Sequence, residues 1–138
     1  MGFLLDTNVI SEPRKASPDP RVLAWLRRQS DAGAEMYLSS LVVGEVRKGI
    51  EQVRPRAPRQ AEALEAWLAG LIGVYGDRIL PVSAAVADEW GRLTAAARPP
   101  TIDGLIAATA KVHRLTLATR NIADVAGTGV PVVNPFES

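Results

Sequence analysis

The side chains in this sequence best placed to do chemistry are the carboxylates of Asp6, Glu45, Asp103 and Asp124. Phe3-Leu4-Leu5 is a short apolar run that stops at Asp6 and passes into Thr7-Asn8. A buried strand that ends in an acid places that acid at the end of a sheet. Open α/β sheets bind their ligands at the carboxyl ends of the strands. A carboxylate directly after a buried strand is also costly unless it has partners. Three other acids are candidates. Glu45 lies near the start of a predicted helix after the second strand. Asp103 falls at the second or third position of a helix before the fourth strand, and Asp124 comes just after that strand. All four can meet at one edge of one sheet.

Carboxylates crowded together repel, so a cluster persists only if it is protonated, hydrogen-bonded or bound to cations. Hard oxygen donors, with one histidine and no cysteine in the chain, favour Mg2+ or Mn2+ over Zn2+. Such ions polarise a phosphoryl group, lower the pKa of a bound water and stabilise a leaving oxygen, which suits phosphodiester hydrolysis. Each acid also has an ordinary structural explanation. Glu45 and Asp103 sit where a helix dipole stabilises negative charge by about 0.3–1 kcal/mol, and Asp124 could be a surface residue or a local cap.

Thr7, Asn8, Thr119 and Asn121 are short polar residues flanking Asp6 and Asp124. They could orient the carboxylates or a bound water, or simply serve as turn and cap residues. His113, near a predicted helix end, is read as structural. Trp25, Trp67 and Trp90 occupy helical apolar positions and are read as core or subunit contacts rather than base-stacking platforms.

The elements that must position these acids alternate. After the first strand comes a short helical turn and a loop broken by Pro13 and Pro18. Asp19-Pro20 starts a helix, with Asp as cap and Pro in the first turn; Val22, Trp25, Leu26 and Gln29 follow at helical spacing. Residues 34–38 form a second strand, and Ser39 or Ser40 caps the next helix. Its stripe is Val42, Val46, Ile50 and Val53. A long helix spans 59–75, with Ala61, Leu64, Trp67, Leu68, Leu71 and Ile72 on its apolar side. Residues 79–82 make a third strand. Ser83 caps a helix through Ala84, Ala87, Trp90 and Leu93. Thr101 caps another, over 102–113, buried through Ile102, Leu105, Ile106 and Thr109. Residues 115–119 form a fourth strand and 130–133 a last edge strand. Strands alternating with helices predict an α/β fold with a mostly parallel sheet covered on both faces.

A chain of 138 residues is one domain, 1–138, able to bury its own core. Net charge is +1, with a sequence pI of about 8.2. That is too balanced to announce nucleic-acid binding by bulk charge. Arg54, Arg56 and Arg59, and the pairs Arg14-Lys15, Arg27-Arg28 and Arg47-Lys48, are read as solvated faces and loops. Asp6 interrupts the N-terminal apolar run, so no signal peptide is expected. Asp6 also stands where a myristoylation motif needs Ser or Thr. No apolar run approaches the roughly 18 residues of a membrane span. With the lack of cysteine, these points lead to the expectation of a soluble cytoplasmic protein.

Residues 4–12, Leu-Leu-Asp-Thr-Asn-Val-Ile-Ser-Glu, resemble the opening block of PIN-domain proteins. Residues 39–49, ending Gly44-Glu45-Val46-Arg47-Lys48-Gly49, resemble the second block of that family, and Thr101 to Ala110 the third. Thr119 to Asp124 resembles the fourth, and Gly127 to Pro135 the usual tail. The order and joint presence of the blocks make the likeness specific, and it covers the whole chain. The nearest likeness is to VapC-type toxins of bacterial toxin–antitoxin pairs, in the FitB-like branch. The resemblance implies a three-layer α/β/α fold and a Mg2+- or Mn2+-dependent ribonuclease. It implies Asp6 and Asp103 as main metal ligands, with Glu45 and Asp124 completing the site. It further implies a homodimer and a small VapB-like antitoxin that blocks the site. Promoter DNA would be bound chiefly through the antitoxin. Two departures are visible: Val125 where an aromatic is common, and Arg114 where relatives often have Gly. The rival expectations are an aspartyl phosphatase, disfavoured by Asn8 two residues after Asp6, and a non-catalytic subunit that binds antitoxin and operator DNA.

Overall fold

The computed structural model describes residues 2–137. Its sheet has five strands, all parallel, in the order β3-β2-β1-β4-β5. The strands are β1 (Gly2–Leu5), β2 (Glu35–Ser39), β3 (Ile79–Leu80), β4 (Thr116–Ala118) and β5 (Val132–Val133). The helices are α1 (Thr7–Ile10), α2 (Pro20–Asp31), α3 (Ser40–Val53), α4 (Pro58–Tyr75), α5 (Ala84–Ala97) and α6 (Thr101–Val112). Parallel strands require crossover connections; these helices supply the first three, and the β4–β5 connection carries only a short 3-10 turn at Ile122–Val125. α3 packs on α4 and α5 packs on α6. The result is the expected three-layer α/β/α fold with a parallel central sheet.

β1 is the centre of the sheet. Phe3, Leu4 and Leu5 are all buried, as a strand covered on both faces requires. Phe3 meets Trp25 of α2 edge-on, with ring centroids 4.9 Å apart. Such an edge-to-face pair adds roughly 0.5–1.5 kcal/mol beyond burial. Val42, Val46 and Ile50 are the buried stripe of α3, and Val53 is half-buried at its end.

Local signals placed several boundaries. The Asp19 carboxylate accepts from the Arg21 N–H at the start of α2, Ser39 Oγ accepts from Leu41 N at 3.1 Å, and Ser83 Oγ accepts from Val86 N at 3.2 Å. Arg114 adopts φ 57°, the left-handed conformation in which a non-Gly residue carries about 1 kcal/mol of strain.

Several expectations need correction. Thr101 is the first residue of α6 and not its cap; Pro100 occupies that place and offers no side-chain acceptor. α6 is buried through Gly104, Ile106, Ala107, Ala108, Thr109 and Ala110, whereas Ile102 is exposed and Leu105 half-buried. The reason is close packing. A Cβ on Gly104 would come within 2.8 Å of Pro99 Cγ and 3.3 Å of the Trp90 ring, so small residues face α5. α5 is buried through Val86 and Leu93, with Trp90 half-buried, leaving Ala84 and Ala87 in solvent. Ile72 is exposed at the solvent side of α4, and the third and fifth strands are shorter than the apolar runs that announced them. Each of these strands pairs on one side only.

Candidate active site

The chain leaves β1 for β2 and β3 on one side, then returns to place β4 on the other side of β1. The carboxyl ends of β1 and β4 therefore flank the point where strand order reverses, the usual position of a ligand crevice in open α/β sheets. Leu5 pairs with Ala118, and the Asp6 N–H donates to the Ala118 carbonyl at 2.9 Å. Asp6 and Thr119 are thereby held side by side, each one residue beyond its strand.

Asp6 is 5% exposed. Its Oδ1 accepts from the Thr7 N–H at 2.8 Å and its Oδ2 from the Thr119 hydroxyl at 2.7 Å. One carboxylate thus caps α1 and is gripped from β4. The Thr7 hydroxyl donates to Glu45 Oε1 at 2.7 Å, and the Asn121 N–H donates to Thr119 Oγ1 at 3.0 Å. A chain of hydrogen bonds runs from α3 through Thr7, Asp6 and Thr119 to the loop after β4. Asn8 Oδ1 accepts from the Arg120 N–H at 3.1 Å, tying α1 to the same loop.

Helix direction brings in the other acids. A helix that follows a parallel strand starts at the strand's carboxyl end, so α3 begins directly after β2 and carries exposed Glu45 in its second turn. α6 precedes β4 and runs against it, so its first turn, with Asp103 as third residue, lies at the same edge. Asp124 sits in the short 3-10 turn Ile122–Val125 beyond β4. A cleft of about 310 Å3 is lined by Asp6, Thr7, Asn8, Glu45, Asp103 and Asn121 together with Ser11, Glu12, Lys15 and Arg120. Asp124 lies outside this lining, but its charge reaches Asp103.

Electrostatics register the convergence. The Asp103 carboxyl is pushed up to about 6, first by partial burial and then by the charges of Asp6, Asp124 and Glu45. Among the described residues, no three His, Cys, Asp or Glu side chains stand together as a group that could by itself hold a metal ion. Mg2+ does not need a dedicated all-protein site. It binds through one or two carboxylates and keeps waters or takes substrate phosphate oxygens. An open, oxygen-only acid cluster whose members repel is a donor set that fits such an ion.

Glu12, Lys15 and Arg120 were not among the sequence candidates. Glu12 is buried at 4% exposure, accepts from the Asp19 N–H at 2.8 Å and pairs with Lys15 at 2.9 Å. Its carboxyl is held below the usual range, chiefly by the Lys15 hydrogen bond. The signal in the sequence was its place six residues after Asp6, two residues past the end of α1.

The family model for the PIN domain matches residues 3–123. The chain belongs to the PIN-domain family. It is 37% identical over 141 residues to Toxin FitB of Neisseria gonorrhoeae, covering 97% of this chain and 98% of that protein. It is 34% identical over 140 residues to the VapC ribonuclease Y4jK of Sinorhizobium fredii, covering 98% of each. Among solved structures, FitAcB from Neisseria gonorrhoeae matches with a TM-score of 0.88 at 35% identity, over 99% of each chain. FitAB bound to an IR36 DNA fragment matches at 0.86 and 34% identity, over 97% of this chain and 95% of that one. This PIN domain carries its acids at the sheet edge just described. None of its described helices is long and apolar enough to cross a membrane.

Proposed function

We propose that this PIN domain is a divalent-metal-dependent endoribonuclease and the toxin of a toxin–antitoxin pair. The observation that carries the proposal is that Asp6, Glu45 and Asp103 line one cleft at the strand-order reversal of a PIN fold, with the charge of Asp124 reaching Asp103. The relatives support the biological role: one is named a toxin, one a ribonuclease, and the solved FitAB complex is bound to DNA.

Asp6 and Asp103 would be the main ligands of Mg2+ or Mn2+, with Glu45 and Asp124 completing the acidic site. The ion supplies Lewis-acid polarisation of the phosphodiester and a more acidic water. The chain's own residues hold the geometry. Thr7 N–H and the Thr119 hydroxyl fix both Asp6 oxygens, so the carboxylate does not have to reorganise. The Thr7 hydroxyl fixes Glu45 relative to Asp6. Asn8 and Asn121 anchor the loop that bears Arg120 and Asp124. Attack by water leaves 5′-phosphate and 3′-hydroxyl ends, because the 2′-hydroxyl is not needed.

A small cognate antitoxin would cover the cleft and carry the pair to promoter DNA. A homodimer is part of the same reading, supported by exposed apolar side chains such as Ile72 and Val74 of α4.

The test is purified protein on RNA with Mg2+ or Mn2+, with and without chelator. Cleavage should require the metal and fall at least a hundredfold in Asp6→Asn. Cleavage that survives both chelation and Asp6→Asn overturns the mechanism.

A further inference from the structure

The acid cleft has two cations in its lining, Lys15 and Arg120. Lys15 is committed: its Nζ pairs with Glu12 Oε1 at 2.9 Å. Arg120 is not. Among the described residues, no carboxylate lies within ion-pair distance of its guanidinium. Asp19 is close enough for the charge of Arg120 to help lower its pKa. Both Asp19 oxygens are already taken by Arg21, at 3.2 Å from Nε to Oδ1 and 2.8 Å from Nη2 to Oδ2.

Arg120 is nonetheless fixed in place. Its Cζ stands 4.0 Å from the centroid of the Phe136 ring, and Phe136 is 3% exposed. A guanidinium held over a ring face by cation–π attraction leaves its N–H donors available to another partner. Its backbone is pinned too, by the N–H donated to Asn8 and by the neighbouring Asn121 N–H donated to Thr119. Thr119 in turn grips Asp6. The guanidinium is thus held over a ring, exposed, without a carboxylate partner among the described residues, and attached to the loop that holds the central acid.

A cleft lined by acids repels a polyanion, so a nucleic-acid strand needs a compensating cation at its rim. We propose that Arg120 is that cation: a phosphate-holding residue that binds a backbone phosphodiester of single-stranded RNA beside the acid cluster. Planar donors in a fixed fork match phosphate oxygens two at a time. The inference rests on the ribonuclease reading but is measured by binding, which does not depend on cleavage. The C-terminal turn at Pro135–Glu137 thereby acquires a role, since it delivers the Phe136 platform.

The experiment is fluorescence anisotropy of a labelled single-stranded RNA oligonucleotide, in chelator, with wild type, Arg120→Gln and Arg120→Lys. Arg120→Gln should bind about tenfold more weakly at low salt. The slope of log K against log salt should shrink by about 0.7, the value for one lost phosphate contact on a single strand. Arg120→Lys should restore the slope but not the full affinity. In Mg2+ the cleavage defect of Arg120→Gln should fall on KM and leave kcat close to wild type, with an unchanged melting temperature. Equal affinity and equal slope for wild type and Arg120→Gln overturn the proposal. Arg120-dependent binding without wild-type cleavage supports it and sinks the ribonuclease reading alone. Wild-type cleavage with Arg120-independent binding does the reverse. No binding by wild type sinks both.

Discussion

At the scale of single residues, the site depends on how few donors hold Asp6. Among the described residues its Oδ2 has one donor, the Thr119 hydroxyl. Thr119→Val keeps the shape and removes that donor, leaving a buried carboxylate oxygen unsatisfied at a cost of about 1–3 kcal/mol. Melting should drop by several degrees and RNA cleavage at least tenfold, while Thr119→Ser should recover most of both. Asp103 behaves oppositely in stability. Its folded-state pKa is raised from 3.8 to about 6, so the folded chain holds the proton more tightly than the unfolded chain. The contribution of Asp103 to stability is therefore fullest below pH 3.8 and is lost as pH rises through about 6. In metal-free protein, Asp103→Asn should be more stable than wild type at pH 7.5, by about 1 kcal/mol after allowance for solvent screening. The gain should vanish near pH 4, as read by thermal melts in chelator. An equal difference at both pH values would sink this account. The same variant should lose cleavage, so stability and activity part company at this residue.

At the scale of elements, the place of Asp103 depends on how closely α5 meets α6. Gly104 lets Trp90 and Pro99 come into contact with the α6 backbone. Gly104→Ala should cost about 1–3 kcal/mol by overpacking, although Ala is the better helix former by about 1 kcal/mol. Because Asp103 is the adjacent residue, cleavage should fall along with the melting temperature. A stabilised Gly104→Ala protein would show that the pair of helices can part without cost. The helix cap at Ser39 matters for a similar reason: it sets where α3 begins and so where Glu45 projects.

At the scale of the whole molecule, the strand order determines what the acids can do together. Asp6 and Thr119 are 113 residues apart in sequence and adjacent only because β4 is inserted against β1. The proposed toxin role predicts that expression without a partner arrests growth of the host. Growth should recover with Asp6→Asn or with co-expression of the cognate antitoxin, scored by colony formation. Undisturbed growth with wild type would count against the toxin reading. Static light scattering tests the homodimer, whose mass would be about twice the 14.7 kDa of one chain.

The sequence alone determined the alternation of strands and helices, the parallel sheet and the caps at Asp19 and Ser83, because these rest on short-range periodicity and side-chain acceptors. It also singled out Asp6, since an acid after a buried run is costly and visible, and offered Glu45, Asp103 and Asp124 as candidate partners by position and through the family resemblance. It did not determine which face of α5 or α6 is buried. Apolar size marks a face in water, but between two packed helices small residues win, as Gly104 and Ala107 do over Ile102. Nor could it couple Arg120 to Phe136, Glu12 to Asp19, or Thr119 to Asp6. Those contacts exist only after the chain has crossed the sheet, and local spacing carries no record of the crossing. The tertiary structure alone decided that Asp6, Glu45 and Asp103 line one cleft, and that an arginine in the same lining has no carboxylate partner among the described residues.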